Sequence, residues 1–143
     1  MNKEKRPSKK EIEALAMEIF NFLCDKGMWQ DTKIYFNGKS MSTYNPKTKE
    51  YYYYYGDEDA AYEAEHGGKH TERRFYLDEN DDPRRYFEYV HEPNILSMSF
   101  EGPLYDALNY GNGKTEAELL NIFKKYGLCF EIGNAWNLTA CPE

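Results

Sequence analysis

The stretch KIYFNGKSMSTY, residues 33–44, decides the fold, because an Asn-Gly pair separates two runs that read as extended strands. Both central residues of such a tight hairpin turn need positive φ, which asparagine and glycine adopt at little cost. A second turn is predicted at residues 45–49, and it leads into five consecutive tyrosines, Tyr51 to Tyr55. The pattern therefore predicts a three-stranded meander over residues 32–55.

The tyrosine run has two sides if it is extended. Successive side chains of a strand point to opposite faces, so Tyr51, Tyr53 and Tyr55 would share one face and Tyr52 and Tyr54 the other. One face can pack on a core, and the second must then be covered or left exposed. Exposed phenols beside clustered carboxylates are typical of a contact surface, because a phenol combines large area with a hydrogen-bonding tip.

The first helix has clear boundaries in the sequence. Ser8 and Glu11 have the spacing of a capping box, and Gly27 is predicted to end the helix in the left-handed conformation. The apolar residues between them recur at the spacing of one helical face: Ile12, Leu15, Ala16, Ile19, Phe20 and Leu23. This pattern predicts an amphipathic helix that packs on the sheet.

Short elements and turns alternate along the rest of the chain. We predict an exposed loop or short helix at 60–65, strands at 73–77 and 95–100, a short helix from Pro83 to about Tyr89, a short helix at 104–110, a helix capped by Thr115 and Glu118, and a terminal hairpin of 128–132 with 135–140. Segregated strands joined by short turns are typical of α+β proteins. We therefore expect one α+β domain over residues 1–143, with a mainly antiparallel sheet packed with two main helices and a basic, flexible segment at 1–7.

The charge of the chain is unevenly distributed. The net charge is −7 overall, but residues 50–92 carry thirteen Asp/Glu against five Lys/Arg, a local net charge of −8. A negative field repels phosphate backbones and attracts basic surfaces. We therefore expect a basic protein surface as the partner, and direct binding of nucleic acid is disfavoured.

The compartment is predicted from absent signals. No apolar stretch approaches the ~20 residues that span a bilayer, and the basic N-terminus lacks the apolar region of a signal peptide. Three scattered cysteines, Cys24, Cys129 and Cys141, indicate reduced thiols rather than a disulfide framework. These features predict a cytoplasmic protein, and they leave open whether Cys129 and Cys141 meet across the terminal hairpin.

The candidate partner-binding surface joins the acidic insert at 56–70 to neighbouring tyrosines and to a second acidic run. Its predicted residues are Tyr52, Tyr54, Asp57, Glu58, Asp59, Glu63, Glu65, Asp78, Glu79, Asp81 and Asp82. Carboxylates spread over a folded surface can imitate the phosphates that a nucleic-acid enzyme expects, and electrostatic steering would speed docking onto its basic groove. The competing interpretation is a solvated face that only keeps the protein soluble.

In size, acidity and aromatic content the chain resembles the small antirestriction and anti-CRISPR inhibitors of phages and mobile elements. The resemblance is carried by composition, without a family motif, so it transfers no residue. We expect a non-enzymatic protein that acts by binding another protein and needs no cofactor. The more specific hypothesis is an inhibitor of a nucleic-acid-handling enzyme.

Two other classes of function stay open at this point. His66, His70 and His91 with nearby carboxylates would suit a small metal-dependent hydrolytic enzyme, although two glycines between the first two histidines oppose a helical metal site. A tyrosine strand would also suit single-stranded nucleic acid, which needs stacking rings and cations along its backbone. Lys47 and Lys49 are the cations that flank the tyrosines in sequence on one side, and Asp57 to Asp59 lie on the other.

Overall fold

The computed structural model describes residues 6–143, which form an α+β domain around a six-stranded sheet in the order β5-β2-β1-β6-β8-β7. Every strand pairing in it is antiparallel. A separate two-stranded ribbon pairs β3 with β4. The elements are α1 (Lys9–Asp25), β1 (Thr32–Phe36), β2 (Lys39–Ser42), β3 (Tyr44–Asn45), β4 (Glu50–Tyr51), α2 (Asp57–His66), β5 (Tyr76–Asp78), a 3₁₀ turn (Pro83–Arg85), β6 (Leu96–Phe100), α3 (Pro103–Tyr110), α4 (Lys114–Lys124), β7 (Leu128–Ile132) and β8 (Asn137–Pro142).

The predicted fold class is confirmed, and α1 has the predicted caps. The Ser8 hydroxyl accepts from the Glu11 backbone N–H while the Glu11 carboxylate accepts from the Ser8 N–H. Gly27 follows the helix with φ of 65°, and a Cβ there would lie 2.6 Å from the Tyr55 carbonyl oxygen. Glycine is therefore required both by the backbone conformation and by the close approach of the tyrosine run.

The two faces of the sheet differ in polarity, because neighbouring residues of each strand point to opposite faces. An apolar row crosses the sheet and packs beneath α1 and α4: Leu77, Met41, Ile34, Met98 and Leu138. Ile132 continues the row on the edge strand β7 but is exposed. The adjacent row faces the other way and is mostly polar: Asp78, Ser40, Tyr35, Ser97, Thr139 and Glu131. The segment 86–91 covers part of this polar face, where Phe87 contacts Tyr35 and Trp136 edge to face.

The predicted three-stranded meander is wrong in its third strand. The hairpin of β1 and β2 forms as expected, but the free edge of β2 pairs with β5. Of the five tyrosines, Tyr51 alone belongs to a strand, and it pairs with Tyr44 in the small ribbon. In the turn of that ribbon Lys49 has φ of 61°, in the left-handed region.

Several other boundaries differ from the sequence prediction. The acidic insert forms the helix α2, three residues longer at its start than the predicted 60–65, and the predicted strand at 73–77 shortens to β5. The helix predicted from Pro83 to about Tyr89 is a 3₁₀ turn of three residues, capped by Asp82 as expected. Thr115 does not cap α4, because Gly113 adopts φ of 85° and the helix already begins at Lys114.

The remaining predictions concern the N-terminus and the membrane. Most of the predicted basic segment at 1–7 lies outside the described residues. Within residues 6–143 no helix combines the length and the apolar character that crossing a bilayer would require.

Candidate functional site

The odd-numbered tyrosines of the run, Tyr51, Tyr53 and Tyr55, form a row of rings with Tyr44. Ring centroids lie 4.9 Å apart between Tyr44 and Tyr51, 5.2 Å between Tyr51 and Tyr53, and 6.2 Å between Tyr53 and Tyr55. His70 packs against the end of the row, 5.0 Å from Tyr55. Tyr51 and Tyr55 are exposed and Tyr53 is half-buried. The ring contacts group these three residues as predicted, although most of the run is not a strand.

The even-numbered tyrosines of the run, Tyr52 and Tyr54, turn toward the protein and pack against arginines. The guanidinium of Arg74 lies 4.1 Å from the ring centroid of Tyr52, which is half-buried. Arg73 lies 5.2 Å from the ring of Tyr54, and the Tyr54 hydroxyl donates to Asp57. Tyr54 is only 5% exposed, so its predicted place on the outer surface is wrong: its ring joins the hydrophobic core.

Arg73 holds the start of the acidic helix α2 against the rest of the fold. Its guanidinium bonds to Asp25 at the end of α1 and, at 3.0 Å, to Asp57 at the start of α2. The hydrogen bonds from Tyr54 and Arg73 hold the pKa of Asp57 below its usual value. Asp57 therefore serves the fold as an anchor and is not a free charge.

Three carboxylates of α2 remain unpaired among the described residues. Glu58, Asp59 and Glu65 are exposed and have no hydrogen-bond or ion-pair partner. Glu63 is half-buried instead, because its Oε2 accepts from the His70 backbone N–H at 2.7 Å. Tyr62 projects from the same helix with 63% of its surface exposed. The helix thus presents free carboxylates together with an exposed ring.

The second acidic run behaves differently, because its central residue is buried. Asp81 is 3% exposed and accepts from the Lys33 ammonium at 2.9 Å and from the Ser40 hydroxyl at 2.8 Å. Its predicted place on a docking surface is therefore wrong. Asp82 accepts from the Arg84 side chain and backbone, which leaves Asp78 and Glu79 as the less constrained acids of the run.

Opposing influences act on the pKa values of the buried pair. Burial would raise the pKa of Asp81, but the hydrogen bonds from Lys33 and Ser40 hold it below its usual value. Burial would likewise lower the pKa of Lys33, but the hydrogen bond to Asp81 raises it. Both groups therefore stay charged at neutral pH, because the interaction between them offsets the cost of burying each charge.

The two acidic runs lie at opposite ends of α1. Asp57 reaches Asp25 through Arg73, whereas the Asp81 N–H donates to the Gly38 carbonyl beside the Asn37 turn, which itself bonds to Lys9. A helix of the length of α1 spans about 25 Å at ~1.5 Å per residue. The predicted candidate surface therefore divides into two separate regions.

The three histidines are dispersed. His66 stacks on Tyr62 with centroids 4.0 Å apart, and His70 belongs to the tyrosine row. His91 lies on the polar side of the sheet, where its backbone N–H donates to Thr139 and its buried Nε2 has no partner. No group of three metal-ligating side chains occurs within the part of the chain that the structure describes.

The cysteines divide into one core residue and one facing pair. Cys24 is fully buried on α1, and burial raises its pKa to about 12. Cys129 and Cys141 are directly opposed in the β7–β8 hairpin, with Sγ atoms 3.0 Å apart and both thiols free. The hairpin contact that the sequence left open is thus present without a disulfide.

A polar cleft on the outer face of the sheet was missed by the sequence analysis. It has a volume of about 340 Å³, and its lining includes Lys33, Tyr76, Asp78 and Tyr86. The available sequence signal was the alternation of Lys33 and Ser42 with apolar neighbours in β1 and β2. Such alternation predicts a polar second face of the sheet, but it does not predict which residues cover that face. Tyr44 also lines the cleft and connects it to the tyrosine row.

Comparison with known proteins returns no matching family model, no matching curated protein and no matching solved structure.

Proposed function

We propose that the chain is a non-enzymatic binding protein that docks a basic protein surface through α2 and the adjoining tyrosine row. The observation that carries this proposal is a set of exposed carboxylates on one helix, Glu58, Asp59 and Glu65, which no other described residue pairs with. Charges already paired within a fold add little to an encounter, whereas free ones steer it. Tyr55 and Tyr62 add exposed rings of the kind that anchor interfaces.

The partner that fits this chemistry best is a nucleic-acid-handling enzyme, because a cationic surface is the electrostatic footprint of nucleic-acid binding. An acidic helix that occupies such a surface excludes the nucleic acid and so inhibits the enzyme. Asp81 and Asp82 of the second acidic run are no part of this surface, since both are engaged within the fold. The proposal therefore concerns one short acidic helix rather than an extended imitation of a duplex.

The test compares two triple variants with equal changes in charge. Glu58→Gln, Asp59→Asn and Glu65→Gln neutralise α2, and Glu79→Gln, Glu88→Gln and Glu116→Gln neutralise exposed, unpaired acids elsewhere. Proteins captured from the native host by the wild-type chain are identified, purified and titrated with all three proteins. We expect the α2 variant to bind at least about tenfold more weakly, with a reduced dependence of affinity on salt.

Two results would contradict the proposal. Equal weakening by both triple variants would indicate a general effect of net charge, and unchanged binding by the α2 variant would remove α2 from the interface. Competition by duplex DNA tests the identity of the partner surface. Failure of DNA to displace the chain would leave protein binding in place but reject a nucleic-acid site as its target.

A second function has its own supporting observation. Beside the tyrosine row lies a cleft of about 320 Å³ whose lining includes three cations, two acids and two rings of the row: Lys49, Lys69, Arg74, Glu50, Glu72, Tyr51 and Tyr53. This combination of rings and cations suits single-stranded nucleic acid better than the flanking sequence indicated. If the chain binds single-stranded nucleic acid, we expect oligothymidine to quench tyrosine fluorescence at low salt. The double variant Tyr51→Ala with Tyr53→Ala is expected to abolish this quenching. Loss of quenching in Tyr110→Ala, which alters an exposed ring elsewhere, would argue against it.

A further inference from the structure

The polar cleft lies where the outer face of the sheet meets the small ribbon. Lys33 and Ser40 form part of its floor, Tyr76 and Asp78 belong to the edge strand β5, and Tyr44 closes it on the ribbon side. Its volume is about 340 Å³, which exceeds the space of one amino-acid side chain but is too small for a folded element. The cleft continues the tyrosine row, because Tyr44 contacts Tyr51.

The fold already places one cation in this cleft. The Lys33 ammonium lies 4.4 Å from the ring centroid of Tyr86 and 4.9 Å from that of Tyr35. Its charge is balanced by Asp81 at 2.9 Å, and Arg85 lies 3.9 Å from the other oxygen of that carboxylate. The aromatic lining thus accommodates a cation, and Lys33 itself leaves little unbalanced charge there.

Two further carboxylates line the cleft with unused acceptor capacity. Asp31 accepts from the Tyr53 hydroxyl at 2.7 Å through Oδ1. Asp78 accepts from the Asn80 backbone N–H at 3.1 Å, also through Oδ1. The Oδ2 atom of each carboxylate has no partner among the described residues. After the charges of Lys33, Arg85 and Asp81 are counted, the two aspartates leave the cleft anionic.

We propose that this cleft receives an arginine side chain of the basic partner, held by Asp31 and Asp78 and packed against the tyrosine rings. The inference rests on the proposed function and adds a specific contact to it. A guanidinium satisfies both features of the cleft, because its planar face stacks on a ring while its fork of N–H groups donates to carboxylates. The chain uses the same pairing internally, where Arg74 lies over Tyr52.

The test uses a defined probe, the acetylated and amidated peptide Gly-Arg-Gly, with the citrulline peptide as a neutral match of the same shape. Binding is followed by chemical-shift changes of the Tyr44, Tyr76 and Tyr86 rings. We expect the arginine peptide to bind weakly at the cleft and the citrulline peptide to bind at least about tenfold more weakly, since charge-assisted hydrogen bonds are lost.

Matched variants locate the site. Asp31→Asn with Asp78→Asn removes two charges from the cleft, and Asp59→Asn with Glu65→Gln removes two from α2. Asparagine suits position 31, where the backbone has φ of 58°, because it tolerates the left-handed region. We expect the cleft variant to lose at least about tenfold in affinity for the arginine peptide and the α2 variant to bind as the wild type does. The single variant Asp78→Asn gives the same comparison with position 31 untouched.

Three outcomes would overturn the inference: equal binding of the two peptides, equal losses in the two double variants, or shifts confined to rings outside the cleft. Its failure is distinguishable from failure of the proposed function. If the identified partner needs the α2 carboxylates but binds the cleft variant normally, the proposed α2 interface is retained and the arginine site is rejected. If the arginine peptide binds the cleft but the triple α2 variant binds the partner as the wild type does, the arginine site is retained and the α2 interface is rejected.

Discussion

The two acidic segments of this protein look alike in sequence and differ in their relation to the fold. The helix α2 carries carboxylates that extend into solvent, and within residues 6–143 Glu58, Asp59 and Glu65 have no partner. The loop at 78–82 uses two of its acids internally, because Asp81 neutralises Lys33 and Asp82 caps a 3₁₀ turn. A run of acids therefore indicates a binding surface only where the fold supplies no cation opposite it.

The largest expected effect comes from the buried acid. Asp81→Ala leaves the Lys33 ammonium half-buried without its counter-ion, and removal of one partner of such a pair costs about 3–5 kcal/mol of unfolding free energy. Denaturation in urea measures this loss. Asp59→Ala, which alters an unpaired acid of α2, is the control and is expected to cost less than about 1 kcal/mol.

A double variant sharpens the same comparison. Lys33→Met together with Asp81→Asn removes both charges, so we expect it to be more stable than Asp81→Ala. Equal stabilities of the Asp81→Ala and Asp59→Ala variants would mean that the two acidic segments do not differ as the geometry indicates.

A smaller effect is expected in the acid limb of the stability profile. The folded-state pKa of Asp81 lies below its unfolded value, because the hydrogen bonds from Lys33 and Ser40 outweigh the effect of burial. Its contribution to stability is therefore complete above the unfolded pKa of about 3.9 and is lost as the pH falls through the lower folded pKa.

The measurement is the difference in unfolding free energy between the wild type and Asp81→Asn as a function of pH. We expect this difference to be constant near neutrality and to shrink below about pH 4. The matched variant Asp59→Asn, in which no comparable pair is broken, is expected to show a much flatter difference. A wild-type advantage that persists unchanged into strong acid would show that Asp81 does not act as a paired carboxylate.

The elements that depend on local pattern were predictable from the sequence. Ser8 with Glu11 defined the start of α1, and Asn37-Gly38 placed the first hairpin. Each of these signals involves residues close together in the chain, so no knowledge of distant neighbours was needed.

The errors arose where a distant residue decides the outcome. Tyr54 is buried because Arg73 packs over its ring, and Asp81 is buried because Lys33 and Ser40 on other strands provide its partners. The third strand of the meander was misplaced because β5 takes the edge of β2. These long-range contacts cannot be recognised from the local sequence, in which a buried tyrosine or aspartate looks the same as an exposed one.

The smallest expected effect concerns the attachment of α2. Arg73→Gln removes the ion pairs to Asp25 and Asp57, which lie at the surface and contribute about 0–1 kcal/mol to global stability. Amide hydrogen exchange is expected to accelerate in α2, because opening of this helix alone then requires less free energy. Lys125→Gln is the control, since it breaks a surface ion pair with Glu18 away from α2. Acceleration that also reaches the Asp81 loop, or an α2 that exchanges as in the wild type, would show that Arg73 does not anchor this helix independently of the second acidic segment.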